Sequence, residues 1–108
     1  MTIKGTNISM VRGDSATITV RCAQQPFTEG DAVAMTVRES VDSPVELRKD
    51  VTAFEYDGSA IIPILPEDTS SMGFGDYVYD IQLTRSDGTV NTVVTVSRFT
   101  LEEEVTYD

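Results

Sequence analysis

The stretch "DYVYDIQLTRSDGTVNTVVTVSRF", residues 76–99, predicts a β-hairpin and decides the fold. Apolar and polar side chains alternate on both sides of Asp87-Gly88, a preferred pair for a two-residue type I′ turn. The predicted pairs on the apolar face are Leu83–Thr92, Ile81–Val94 and Tyr79–Val96. Those on the polar face are Thr84–Asn91, Gln82–Val93 and Asp80–Thr95. Because turn chemistry and face pattern agree on one register, both arms are predicted as strands of the core.

This register needs a correction near the end of the second arm. Continued without a break, it would turn Arg98 inward and Phe99 outward. A β-bulge near Ser97-Arg98 adds one residue and reverses the alternation. We therefore predict a bulge there, which returns Phe99 and Leu101 to the core.

Short alternating runs separated by turn signals fill the rest of the chain. Further strands are predicted at 7–11, 14–22, 32–39, 46–51 and 60–65, the first and the last two of them as candidate sheet edges. Their inward residues include Ala16, Ile18, Val20, Cys22, Val33, Met35 and Val37. About seven strands and one helical turn near 66–72 predict an all-β, immunoglobulin-like β-sandwich. The whole chain, 1–108, is predicted to be a single domain with an acidic C-terminal tail at 102–108.

The stretch "LPEDTSSMGFGDYVYD", residues 65–80, is either an acidic functional loop or a folded corner. Pro66 suits the first position of a helix, and Glu67 and Asp68 complement the positive end of the helix dipole. A helical turn here would lead into the strand that Tyr77 begins. We therefore favour a structural corner.

The charge balance limits the classes of partner. Eighteen acidic and eight basic residues give a formal net charge of −10, which repels phosphate backbones and anionic lipid. Binding to nucleic acid or to a membrane is therefore not expected. The first residues, "MTIKGTNISM", lack the apolar segment of a signal peptide, so we expect synthesis and folding in a cytoplasm.

Candidate catalytic and metal-binding patterns are weak. The chain contains no histidine, so the common triads and most zinc sites are not expected. The carboxylates at 67, 68, 76 and 80 do not match the spacing of a calcium loop. We predict no catalytic residue, no metal site and no cofactor, and therefore a non-enzymatic protein.

Three further features have simple structural explanations. The tripeptide "RGD", Arg12–Asp14, matches an integrin-recognition sequence, but its position between two strands predicts a turn. Cys22 alternates with buried positions and is expected to act as a small apolar side chain. The tail at 102–108 is expected to fray, as termini do by default, with a contact arm as the alternative.

The corner resembles that of antibody variable domains, which enter a core strand through a "PEDT"-type turn and a tyrosine. The resemblance implies that Tyr77 anchors the corner. It also implies that Tyr79 stands where those domains carry their second disulfide cysteine, while Cys22 lies on the candidate second strand. One half of the inter-sheet disulfide is thus missing, which suits a protein assembled inside a cell.

Residues 8–106 also resemble a group of small phage virion proteins. The resemblance rests on "GDSATITV", "GDAVAMTVR", "ELRKDV", "PEDT", "YVYDIQLTRSDGTVNTVV" and "SRFTLEEEVT". The first domain of phage baseplate upper proteins is similar: an immunoglobulin-like sandwich that fixes a receptor-binding module to the tail. The resemblance implies a phage or prophage protein.

The expected function is that of a non-enzymatic structural module of a phage or prophage particle, in its tail, baseplate or head surface. Its expected location is the virion, after folding in the host cytoplasm. Its expected partners are other phage structural proteins, with a homo-oligomer as a further candidate. The alternative is an immunoglobulin-like adhesion or carbohydrate-binding module, for which the candidate exposed aromatics are Phe27, Tyr56 and Tyr107.

Overall fold

The computed structural model of the chain describes residues 1–22 and 25–104 and consists of strands with one short helix. The strands are β1 (Thr2–Lys4), β2 (Asn7–Val11), β3 (Ala16–Val20), β4 (Ala32–Arg38), β5 (Val45–Val51), β6 (Ala60–Ile64), β7 (Gly75–Thr84) and β8 (Val90–Glu102). The helix α1 (Pro66–Thr69) lies between β6 and β7. The predicted all-β class and the single helical turn are confirmed. The strand β1 was not predicted, because its three residues are all exposed and show no apolar face.

The strands form a sandwich-like pair of sheets. One sheet has six strands in the order β1-β2-β8-β7-β4-β5, and the other contains β3 and β6. Strand β2 runs parallel to β8, and the other neighbours are antiparallel. The adjacency of β4, β7 and β8 in one sheet, and of β3 and β6 in the other, corresponds to strands C, F, G and B, E of immunoglobulin-like sandwiches.

The core lies between the two sheets and follows the two-residue period of the strands. In β4 the predicted inward residues Val33, Met35 and Val37 are fully buried. In β3, Ile18 and Val20 are buried. The other two predicted inward residues of that segment, Ala16 and Cys22, are half-buried and pack against the core.

The turn between β7 and β8 is longer than predicted. Residues Ser86 to Gly88 form a three-residue loop, in which the Gly88 N–H donates to the Arg85 carbonyl at 2.9 Å and the Arg85 N–H donates to the Thr89 carbonyl at 2.8 Å. Gly88 has a φ of 90°, as the glycine of a type I turn followed by a bulge requires. The predicted turn position is therefore right, and the predicted two-residue type I′ geometry is wrong.

The register of this hairpin is also corrected. Ile81 pairs with Val94 as predicted, but Tyr79 pairs with Ser97 rather than with Val96. Near the turn the pairs are Leu83–Asn91 and Gln82–Thr92. Strand β8 carries one extra residue on each side of the Ile81–Val94 pair, so there are two bulges, and the second comes before the predicted position at Ser97-Arg98. Phe99 and Leu101 are nevertheless buried, as predicted.

Two of the three predicted edge strands lie at edges, and the prediction is wrong for β2, which lies between β1 and β8. Strand β5 ends the six-stranded sheet, and β6 has β3 as its neighbour in the two-stranded sheet. Pro63 lies opposite Thr17 with its ring exposed, which a residue without an N–H tolerates at an edge.

Candidate functional site

The Asp68 carboxylate holds the helix α1 in place, whereas the sequence predicts for it only a contact with the helix dipole. The Asp68 carboxylate accepts a hydrogen bond from the Leu65 N–H at 2.8 Å and forms an ion pair with Lys49 at 2.9 Å. Burial raises the pKa of Asp68, but the Leu65 N–H and the Lys49 ammonium outweigh that effect and hold it below its usual value. Asp68 therefore caps α1 and joins it to β5, in addition to its contact with the helix dipole.

Two tyrosines on β7, directly after this corner, anchor the chain. The Tyr77 hydroxyl donates to the Gly73 carbonyl at 2.7 Å, and the Tyr79 hydroxyl donates to the Thr6 carbonyl. Both rings are buried, and burial raises the pKa of each phenol. The Tyr79 ring also meets Phe99 edge to face, with the ring centroids 6.3 Å apart. The geometry of Tyr77 is that of a tyrosine corner.

Removing the Tyr77 hydroxyl tests this anchor. Tyr77→Phe is expected to lower the free energy of unfolding by about 1 kcal/mol, because the ring still fills its site while the Gly73 carbonyl loses its donor. Urea denaturation followed by circular dichroism measures the change. Tyr56→Phe is the matched control, because the Tyr56 side chain is fully exposed, and no change is expected for it. Equal stability of Tyr77→Phe and the native chain would show that the hydroxyl bond contributes nothing.

The four carboxylates of the acidic stretch do not converge. Asp68 is engaged with Lys49, and Asp76 accepts a hydrogen bond from the Thr100 hydroxyl at 2.8 Å on β8. Glu67 is exposed on α1, while Asp80 lies on the outer face of β7. No group of three or more potential metal-ligating side chains is found within residues 1–22 and 25–104.

The Arg12–Asp14 tripeptide is built into the fold through its arginine. The Arg12 guanidinium donates to both carboxylate oxygens of Glu104, at 3.2 and 2.7 Å, and to the Met72 carbonyl at 3.1 Å. It also lies over the Phe74 ring, 5.3 Å from the centroid. The Gly13 N–H donates to the buried Thr69 hydroxyl. These contacts fix the turn against α1, as the structural explanation of the tripeptide requires.

The same contacts correct the prediction for the tail. Glu102 is the last residue of β8, and its carbonyl accepts a hydrogen bond from the Arg12 N–H at 2.9 Å. Glu104 is held by the Arg12 side chain, whose hydrogen bond lowers the pKa of the carboxyl. The predicted fraying is therefore wrong for 102–104, and the remainder of the predicted tail, 105–108, lies outside the described residues.

The remaining predicted structural residues have local roles. Cys22 is a free, half-buried thiol against the core. Asp87 accepts a hydrogen bond from the Thr89 N–H at 2.9 Å, and this bond closes the β7–β8 turn. Gly88 supplies the positive φ that the turn requires. The structure thus places the predicted structural residues in three parts of the fold: Cys22 after β3, the two tyrosines on β7, and Asp87-Gly88 in the β7–β8 turn.

A buried ion pair at the β7–β8 turn was not predicted. Asp31 is 3% exposed and pairs with the Arg85 guanidinium at 2.8 Å. Its oxygens also accept the Thr28 and Ser86 N–H groups at 3.0 and 3.1 Å. The Thr28 N–H is the largest influence on the Asp31 pKa, and with Arg85 and the Ser86 N–H it lowers that pKa against the opposing effect of burial. The pair joins the segment before β4 to the turn after β7.

These shifts predict how stability depends on pH. Carboxyl groups with a lowered pKa, including Asp31, Asp68 and Glu104, stabilise the fold at any pH above their pKa in the unfolded chain. This stability is lost as the pH falls through their pKa in the folded state. The phenols of Tyr77 and Tyr79, whose pKa is raised, stabilise the fold at any pH below their pKa in the unfolded chain. This stability is lost as the pH rises through their pKa in the folded state. We expect the melting temperature to be level from about pH 5 to 9 and to fall below about pH 4 and above about pH 10. Calorimetric scans across this range measure it, and a melting temperature that rises on acidification below pH 4 would contradict it.

The outer face of the six-stranded sheet carries exposed apolar side chains. Val41 and Val96 are 62% and 57% exposed, and together with Val78 they border an open groove of about 180 Å³. Thr36 and Asp80 also line the groove. The bulge in β8 turns Val96 outward, because Ser97 takes the inward place opposite Tyr79. This face and the two edges of its sheet are the candidate functional surface.

Of the three candidate aromatic residues for sugar binding, one is exposed and one is buried. Tyr56 is fully exposed beside a groove that Arg21 and Asp57 line. Phe27 is 3% exposed and packs against Phe54 in the core, so its predicted exposure is wrong. Tyr107 lies outside the described residues.

Comparisons with known proteins add no assignment. The chain matches no protein-family model, and no curated protein is significantly similar to it in sequence. No helix in the described part of the chain is long and apolar enough to cross a membrane.

Proposed function

We propose that this protein is a non-enzymatic structural module of a phage or prophage particle, located in the tail, baseplate or head surface. It folds in the host cytoplasm and acts in the virion by binding other particle proteins. The resemblance of residues 8–106 to small virion proteins supports the particle assignment. The sheet surfaces support the mode of action.

The observation that carries the proposal is the uncovered side of the six-stranded sheet. Its outer face exposes the valine-lined groove, and its two edges, β1 and β5, each have one strand neighbour among the described residues. Edge strands offer backbone N–H and C=O groups with which a strand of another chain can pair. Such a surface suits repeated contacts in a symmetric particle.

The use of the charged side chains agrees with a structural role. Arg12, Lys49 and Arg85 each pair with a carboxylate from a distant part of the chain and are mostly shielded from solvent. They join, respectively, the first strands to the last, β5 to α1, and the segment before β4 to the β7–β8 turn. Pairs of this kind tie segments together and fix their relative positions.

The proposal is tested on particles induced from the host strain that carries the gene. Gradient-purified particles are analysed by quantitative mass spectrometry, with the soluble lysate as the comparison. The proposal predicts that the chain is enriched in the particle fraction in constant ratio to the other structural proteins. A chain that stays in the soluble lysate while particles form normally would refute it.

The second candidate is an adhesion or carbohydrate-binding module, and the exposed Tyr56 favours it. An exposed ring beside polar groups, here Arg21 and Asp57, can stack against the apolar face of a sugar. Glycan-array binding that Tyr56→Ala abolishes would support this role over particle assembly. Absence of binding to any glycan on the array would remove it.

A further inference from the structure

The outer face of the six-stranded sheet has a regular arrangement of charge around Val78. The inward side chains of β7 are Tyr77 and Tyr79, so Asp76, Val78 and Asp80 point outward. Val78 lies opposite Arg38 on β4 and opposite Arg98 on β8. Both arginines also point outward, since their neighbours Val37 and Phe99 are buried.

These five residues form a cross. The two arginines lie on either side of Val78, one strand away in each direction, at about 4.8 Å per strand. The two aspartates lie two residues away along β7, at about 6.8 Å in each direction. Positive charge therefore extends across the strands and negative charge along them, with an apolar side chain at the centre.

We propose that this cross is a self-association surface, where two copies of the chain pack outer face to outer face with their strands at about 90°. The inference rests on the proposed assembly function and names a partner for it, a second copy of this chain. A two-fold axis that lies in the plane between the sheets, diagonal to the strands, generates the arrangement. Orthogonal packing is one of the two regular ways in which sheets stack.

The charge pattern selects this angle. With strands aligned, each arginine would face an arginine and each aspartate an aspartate, which is repulsive. Rotation by about 90° places Arg38 and Arg98 of one copy over Asp76 and Asp80 of the other, so the patch is complementary to itself, as an isologous interface requires. The mismatch of about 2 Å between the arms of the cross is within the reach of an arginine side chain.

The apolar side chains complete the contact. Val78 faces Val78 of the second copy at the centre, while Val41 and Val96 border the groove beside it. Existing bonds leave the charges able to pair: Arg38 uses one guanidinium nitrogen on the Ser43 carbonyl, and Asp76 uses one oxygen on Thr100. The net charge of −10 opposes any association of two copies. Pairing must therefore come from this local pattern.

Analytical ultracentrifugation of two face variants tests the proposal. One variant carries Arg38→Asp and Arg98→Asp, and the other carries Asp76→Arg and Asp80→Arg. The native chain is expected to show reversible dimerisation between 10 µM and 1 mM, and each variant alone a dissociation constant weakened at least about tenfold. An equimolar mixture of the two variants is expected to form a heterodimer at least as tight as the native dimer.

The matched control is a chain with Thr17→Glu, Thr19→Glu and Arg21→Glu. It has the same net charge as the first variant, but its changes lie on β3 and just beyond it, on the exposed face of the other sheet. It is expected to dimerise like the native chain. Circular dichroism confirms that each protein is folded. If the first variant is not folded, Arg98→Asp alone replaces it, and if the second is not, Asp80→Arg alone replaces it.

Three outcomes would overturn the inference. They are a native chain that is monomeric at 1 mM, variants that dimerise as the native chain does, and a mixture of the two variants that stays monomeric. None of these affects the proposed particle function, because a module can bind other proteins without binding itself. Conversely, absence of the chain from particles would leave a measured dimer standing.

Discussion

Phe99→Ala lowers the free energy of unfolding by about 3–5 kcal/mol, which is the cost of deleting a large aromatic side chain from a packed core. Phe99 is fully buried, lies opposite Tyr77 and Ile8 on its two neighbouring strands, and makes an edge-to-face contact with the Tyr79 ring. It therefore joins β2, β7 and β8 where the parallel pair meets the hairpin. Because small domains have only about 5–15 kcal/mol of stability, the variant is expected to be partly unfolded at 37 °C.

The measurement is chemical denaturation with the midpoint and the slope both fitted. Val90→Ala is the control, because Val90 lies on the same strand but is 56% exposed, and its loss is expected to cost under about 0.5 kcal/mol. If Phe99→Ala were as stable as the control, Phe99 would not be in the core, and the bulged register of β8 would be wrong.

Gly58→Ala has the second largest expected effect, about 2–4 kcal/mol. Gly58 has a φ of 79°, which costs an L side chain roughly 1–2 kcal/mol. A Cβ at this position would also lie 2.4 Å from the Pro26 Cβ, so the backbone must move. That movement disturbs the hydrogen bond from the Phe27 N–H to the Gly58 carbonyl, and with it the position of the buried Phe27 ring.

Gly88→Ala separates the two causes. Gly88 has a similar φ of 90°, but a Cβ added there would meet no atom within 4 Å beyond its chain neighbours. Its substitution is expected to cost only the backbone term, about 1–2 kcal/mol. The difference between the two melting curves therefore measures the contact with Pro26. Equal losses for the two variants would show that the close approach of Gly58 and Pro26 does not constrain the fold.

Alternation and turn chemistry were enough to predict most strands of this fold. Val33, Met35 and Val37 recur at every second position of β4, and each was correctly placed in the core. The position of the bulges was not predictable in the same way. Ser97 occupies an inward place because its hydroxyl bonds to Thr6 and to the Thr95 carbonyl, and neither partner is apparent from the local sequence.

In the candidate site, too, some features follow from the local sequence and others do not. The tyrosine corner follows from a local string in which Tyr77 reaches a carbonyl only four residues away. The ion pairs Arg12–Glu104 and Arg85–Asp31 join residues 92 and 54 positions apart, and no local pattern marks either partner. The charge cross around Val78 depends on strand register across three strands, so it becomes visible only once the sheet is assembled.

The core and the charge cross both depend on the register between β7 and β8. Nuclear Overhauser effects between backbone protons across this hairpin measure that register directly. The structure predicts cross-strand contacts between Tyr77 and Phe99, Tyr79 and Ser97, and Ile81 and Val94. Contacts of Tyr79 with Val96 and of Tyr77 with Arg98 would instead show an unbulged ladder, with Arg98 turned to the core, and would contradict the account.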